Sequence, residues 1–180
     1  MSSKINVANI ILGHIATLAD PTGKRSLMDY VTFFAVPSIV AVIACVAGYN
    51  LNKDVSSMLV NFGAIFTALL LSVLVLVYDQ ESKLSAVKGI DPLYEAKKVL
   101  LRQLYYNICF SIIASILLVG LCFVHSILDG FVTLVDVGGG IVLKLDYARC
   151  VFTPLVIFVV SNLMLTIVMI VKRMHAMLTI

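Results

Sequence analysis

Leu104–Val124 reads LYYNICFSIIASILLVGLCFV, 21 residues without Asp, Glu, Lys or Arg. Three more stretches share that character: Tyr30–Tyr49, Met58–Tyr78 and Val151–Val171, each of 20 or 21 residues. At ~1.5 Å per helical residue such a run is about 30 Å long, the thickness of a bilayer's hydrocarbon core. Lipid offers no partner to backbone N–H and C=O groups, so only helices or a closed barrel can cross it. The runs are continuous rather than alternating, which selects helices. The sequence predicts an all-α membrane protein, a bundle of four transmembrane helices.

The segments around the runs are short. They are 1–29, 50–57, 79–103, 125–150 and 172–180 in a chain of 180 residues. Pieces below ~40 residues rarely bury a core unaided, so a single membrane domain over 1–180 is expected. Lys and Arg fall unevenly between the two sides of that bundle. Ten lie in the ends and the 79–103 loop, and three in the other two loops. The positive-inside rule then places both termini and the 79–103 loop in the cytoplasm of a cell bounded by this inner, plasma membrane. Tyr30, Tyr78, Tyr105 and Tyr106 would form an aromatic belt at the inner interface, with Tyr49 and Phe152 at the outer one.

Each connecting segment carries its own pattern. Ile5, Ala8, Ile11, Leu12, Ile15 and Leu18 share one helical face, and Asn6, Asn9 and Thr17 lie largely opposite. This predicts an N-terminal amphipathic helix on the inner leaflet or beneath the bundle, not a cleaved signal. Span two should run on past the membrane to a stop at Gly89-Ile90, with Asp91-Pro92 opening the helix that becomes span three. The resulting cytoplasmic helical hairpin would project ~15 Å. Lys83, Lys88, Glu95, Lys97 and Lys98 at its tip are the candidate docking residues for a cytoplasmic protein partner, beside the plainer reading of a solvated mixed-charge face.

The loop between spans three and four holds two β-prone runs joined by Gly138-Gly139-Gly140, an extracytoplasmic β-hairpin signal. Its register would set Phe131 opposite Tyr147, Thr133 opposite Leu145, Val135 opposite Leu143 and Val137 opposite Ile141. That apolar face needs cover, from the bundle's outer end or from the same hairpin in another copy, which predicts a homo-oligomer.

The spans contain no ionisable group, which disfavours ion-coupled transport. His14, His125 and His175 are scattered and form no ligand or catalytic set, so neither an enzyme nor a cofactor is expected. Nothing points to direct nucleic-acid binding. Ser72, Ser115, Ser161 and Asn162 are candidate pore-lining or oligomer residues, and hydrogen bonding between helices is the structural alternative. Asn162 is the sharpest, because an amide at mid-bilayer needs a partner. Pro37 and Pro154 each remove a backbone bond and predict helix kinks. Ala44–Gly48, Ala64–Ala68 and Ser111–Ser115 are small pairs spaced for close helix approach. Cys45, Cys109, Cys122 and Cys150 read as small apolar residues. A disulfide among Cys45, Cys122 and Cys150 stays open.

In span count, topology and size the layout is similar to the small four-span membrane subunits of prokaryotic antiphage systems of the Kiwa type. The resemblance implies a homo-oligomeric membrane sensor or pore-type subunit working with a cytoplasmic partner in antiphage or envelope-stress defence. A small-solute channel or carrier and a membrane-protein assembly factor are the competing expectations.

Overall fold

The computed structural model describes residues 6–18, 27–136 and 142–179. Helix α1 is Ala8–Ala16. Four longer helices follow: α2 (Met28–Val46), α3 (Lys53–Ala86), α4 (Tyr94–Leu128) and α5 (Ala148–Thr179). All four are long and apolar enough to cross a membrane. Strands β1 (Val132–Asp136) and β2 (Val142–Asp146) pair antiparallel between α4 and α5. The chain is therefore a membrane protein of helical architecture with one strand pair.

Helix ends follow caps rather than the limits of the apolar runs. Asn52 accepts a hydrogen bond from Val55 N at 2.8 Å and starts α3 well before Met58. Helix α2 stops at Val46, short of Tyr49. Helix α3 ends at Ala86, just before the expected stop. The chain then turns through Gly89, whose φ of +84° only glycine adopts without strain. Asp91 Oδ1 accepts from Leu93 N at 2.8 Å, so Asp91-Pro92 pins a turn, and α4 begins at Tyr94 rather than Pro92.

Both intramembrane prolines sit directly after a π-helical turn. Val31–Ala35 precedes Pro37, and Ala148–Phe152 precedes Pro154. The Pro ring collides with the carbonyl four residues back, and one wider turn relieves it.

The helices pack in the order α3, α4, α5, α2, with α1 against α4. One core cluster joins Ala114, Leu118 and Cys122 of α4 to Val156, Val159 and Leu163 of α5 and to Leu51. A second joins Leu70 and Val77 of α3 to Leu101, Leu104, Ile108 and Ile170. Lipid is as apolar as leucine, so close fit and polar contacts, not burial from water, must hold this arrangement. Among the described residues, α1, the last turns of α5 and the α3–α4 turn lie at one end of the bundle, and the strand pair joins α4 and α5 at the other.

The strand register sets Thr133 against Leu145 and Val135 against Leu143. The pair Val137–Ile141 lies outside the described residues. Among the described residues all four cysteines are free. Cys45 and Cys150 are exposed, and Cys109 and Cys122 are buried.

Candidate functional site

The most polar buried region lies where α1 meets α4 and α5. Its centre is Asn107 of α4, fully buried. Asn107 Oδ1 lies 2.9 Å from His14 Nδ1 and accepts from Thr17 Oγ1 at 2.9 Å. Thr17 Oγ1 also lies 2.7 Å from the His14 carbonyl, which can take its single proton instead. Because an amide oxygen can only accept, His14 Nδ1 carries the ring proton in this arrangement. The His14 ring stacks on Phe110 with centroids 3.8 Å apart and meets Phe33 edge-on at 6.3 Å. Burial pushes the His14 pKa down from 6.5 to about 4, against the opposing hydrogen bond from Asn107. At neutral pH the imidazole is therefore uncharged.

Arg173 of α5 closes the cluster. Its guanidinium donates to the Thr17 carbonyl at 2.6 Å and to the Gln103 carbonyl at 3.4 Å. Thr17 and Leu18 thus end α1 against both α4 and α5. Gly13 makes the approach possible, because a Cβ there would run into the Tyr106 ring.

The seating of α1 departs from a plain amphipathic helix. His14, Thr17 and Leu18 are buried against the bundle, while Ile11 and Leu12 point outward, Leu12 with 63% of its surface exposed. The bundle-facing side, Ile10, Gly13, His14, Thr17 and Leu18, mixes polar and apolar residues, while Asn6 and Asn9 face outward together with Ile11 and Leu12. Asn107 lies only three positions into the charge-free run, so this outward face sits at the depth of the hydrocarbon boundary.

Asn162 adds the link to α2. Its Nδ2 donates to the Phe33 carbonyl at 2.8 Å. That carbonyl lies four residues before Pro37, which has no N–H to offer it. Thr166 Oγ1 in turn donates to the Asn162 carbonyl at 2.9 Å. Among the described residues, three buried polar side-chain atoms have no protein partner: Asn107 Nδ2, Ser111 Oγ and Asn162 Oδ1.

The four pore candidates do not share one path. Ser72 is exposed on α3 and bonds the Ala68 carbonyl of its own helix. Ser115 is buried on α4 and bonds the Ser111 carbonyl. Ser161 is half-buried beside Asn162. Asn162 alone bridges helices. His14, Asn107 and Arg173, which do converge, had no signal stronger than being polar near the end of a span.

At the opposite end Thr153 gathers a smaller set. Its hydroxyl donates to the Ala148 carbonyl at 3.0 Å and lies 3.3 Å from His125 Nε2. Leu51 N donates to it at 3.4 Å. This ties the π turn before Pro154 to α4 and to the approach to α3.

The docking candidates are split by the α3–α4 hairpin. Lys83 and Lys97 face a cavity of about 580 Å³ beside Met174 and Met177. Lys98 faces another on the opposite side, and Lys88 and Glu95 are exposed. Lys83 pairs with Asp79 at 2.7 Å and Lys97 with Asp91 at 2.9 Å. The Lys97 ammonium and the Leu93 amide hold the Asp91 carboxyl below its ordinary pKa. Among the described residues no three His, Cys, Asp or Glu side chains converge to hold a metal ion.

No protein-family model matches the chain, and neither a curated protein nor a solved structure matches it.

Proposed function

We propose that the chain is a non-enzymatic, homo-oligomeric sensor of the inner membrane. It would have both termini in the cytoplasm and signal bilayer disturbance to a cytoplasmic protein partner through the docking of α1. The observation that carries this reading is the two-sided seating of α1. One side meets the surroundings of the bundle through Ile11 and Leu12, and the other is bonded to α4 and α5 through His14, Thr17 and Arg173.

Such a helix answers to both solvents. When lipid packing around it changes, its apolar contacts change, and the polar contacts that oppose release do not. Release of α1 takes both donors from Asn107 Oδ1 and leaves Arg173 without the Thr17 carbonyl, so this end of α4 and α5 must rearrange. Phage attack on the envelope is a disturbance of this kind, in keeping with the layout shared with antiphage membrane subunits.

The test is hydrogen–deuterium exchange in liposomes before and after osmotic downshift or addition of lysolipid. Loss of protection in 8–18 with the spans unchanged supports the reading. Unchanged protection there overturns it.

A small-solute channel is the second reading. The unpartnered Asn107 Nδ2, Ser111 Oγ and Asn162 Oδ1 favour it, because a buried donor and two buried hydroxyl or amide oxygens suit water. Specific flux into liposomes holding this protein alone would select it.

A further inference from the structure

The α3–α4 hairpin has a second cavity, of about 440 Å³, on the side away from Lys83. Lys98 and Arg102, one turn apart on α4, stand on its wall, and Tyr78, Tyr94, Tyr105 and Tyr106 surround them. Tyr78 and Tyr105 close the charge-free runs of α3 and α4, so the cavity sits where hydrocarbon gives way to headgroups. Its buried apolar floor is Val77 and Leu101.

The two cations are held without being neutralised. Lys98 Nζ lies 5.5 Å from the centroid of Tyr94, and the Arg102 guanidinium lies 5.9 Å from that of Tyr106. Neither makes an ion pair among the described residues, whereas Lys83 and Lys97 both do. A ring face attracts a cation but accepts none of its N–H bonds in the usual way, so those donors stay available. Glu81 is the one carboxylate on the wall, which leaves the cavity with net positive charge.

We propose that this cavity binds the headgroup of an anionic phospholipid from the adjacent leaflet. The phosphate would sit between Lys98 and Arg102, and the acyl chains would run down the apolar outer surface of α3 and α4. Charge complementarity selects the headgroup, and the position at the hydrocarbon boundary selects a lipid over a soluble anion.

The experiment is native mass spectrometry of the full chain released from phosphatidylcholine nanodiscs holding a minor fraction of phosphatidylglycerol. The wild type should retain phosphatidylglycerol in preference to phosphatidylcholine. The double variant Lys98→Gln with Arg102→Gln should lower that preference about tenfold. Lys53→Gln, at the far end of α3, should leave it unchanged. Glu81→Gln should raise it, a gain that misfolding cannot produce. Glycerol 3-phosphate at millimolar concentration should fail to displace the lipid. Equal retention of the two lipids by the wild type, an unchanged preference in the double variant, or displacement by glycerol 3-phosphate would overturn the proposal.

Discussion

Pro37 brings no N–H to the backbone, so the Phe33 carbonyl lacks its α-helical donor, and Asn162 Nδ2 supplies one at 2.8 Å. A double-mutant cycle isolates this bond. Asn162→Leu should cost about 1 kcal/mol of stability in mixed-micelle unfolding. Pro37→Ala restores an N–H that can serve the same carbonyl, so in that background Asn162→Leu should cost close to nothing. Equal costs in the two backgrounds would mean that Asn162 does not stand in for the N–H missing at Pro37. The need of Asn162 for a partner was legible from its depth in the run. Its partner was not, because a backbone carbonyl on another span leaves no mark in the sequence. His14 and Asn107 were harder still. They meet across 93 positions, and neither belongs to a spacing that names the other.

Helix α1 is where protonation acts on an element. Undocked, His14 titrates near 6.5, and docked it titrates near 4. The undocked state therefore binds more protons between those values, so docking is strongest above pH 6.5 and weakens as pH falls toward 4. Exchange protection of 8–18 should decline from pH 7.5 to pH 5. His14→Ala should lower protection at pH 7.5 and flatten its pH dependence. A slope that survives His14→Ala would assign the titration elsewhere. The contact between α3 and α4 gives a second element-scale prediction. A Cβ on Gly63 would stand 3.2 Å from the Ser115 carbonyl and 2.8 Å from a Val119 methyl. Gly63→Val should therefore destabilise by about 1–3 kcal/mol, read by the same unfolding measurement. Ala64→Val and Ala68→Val should be near neutral, since both face outward. The sequence singled out Ala64 and Ala68 for close packing, but the close approach to α4 is made by Gly63, one position before Ala64. Small-residue spacing shows that a close approach is available, not which face takes it. For α1 the periodicity gave the helix, while Asn107, the shared partner of His14 and Thr17, decided which way it turned.

At the scale of the molecule, the number and kind of spans were legible because charge is so costly in lipid that its absence is a direct record of depth. The order of the helices was not legible. All four runs are similarly apolar, and the inward positions are chosen by Asn107, Ser111 and Asn162 rather than by any gradient of hydropathy. The most apolar stretches of α2 and α3 are each 17% buried, against 44% for α4 and 33% for α5, so the flanking helices present most of their surface outward. The strand pair has the same character. Phe131 is 63% exposed and Tyr147 is 37% exposed, so the bundle does not cover these two ends of the expected apolar face. The register sets Val135 directly opposite Leu143. A two-stranded ribbon with an open apolar face is marginal in water. In the proposed homo-oligomer a second copy of the same ribbon would be the cover, supplied by closed symmetry without another gene product. Val135→Asp with Leu143→Asp places two like charges opposite each other on that face, which opposes both stacking and pairing. The double variant should insert normally and lose subunits, seen as a lower protein mass by light scattering in detergent. The single charge-conserving exchange Lys144→Arg should leave the mass unchanged. An unaltered mass in the double variant would overturn the proposed subunit contact through the ribbon.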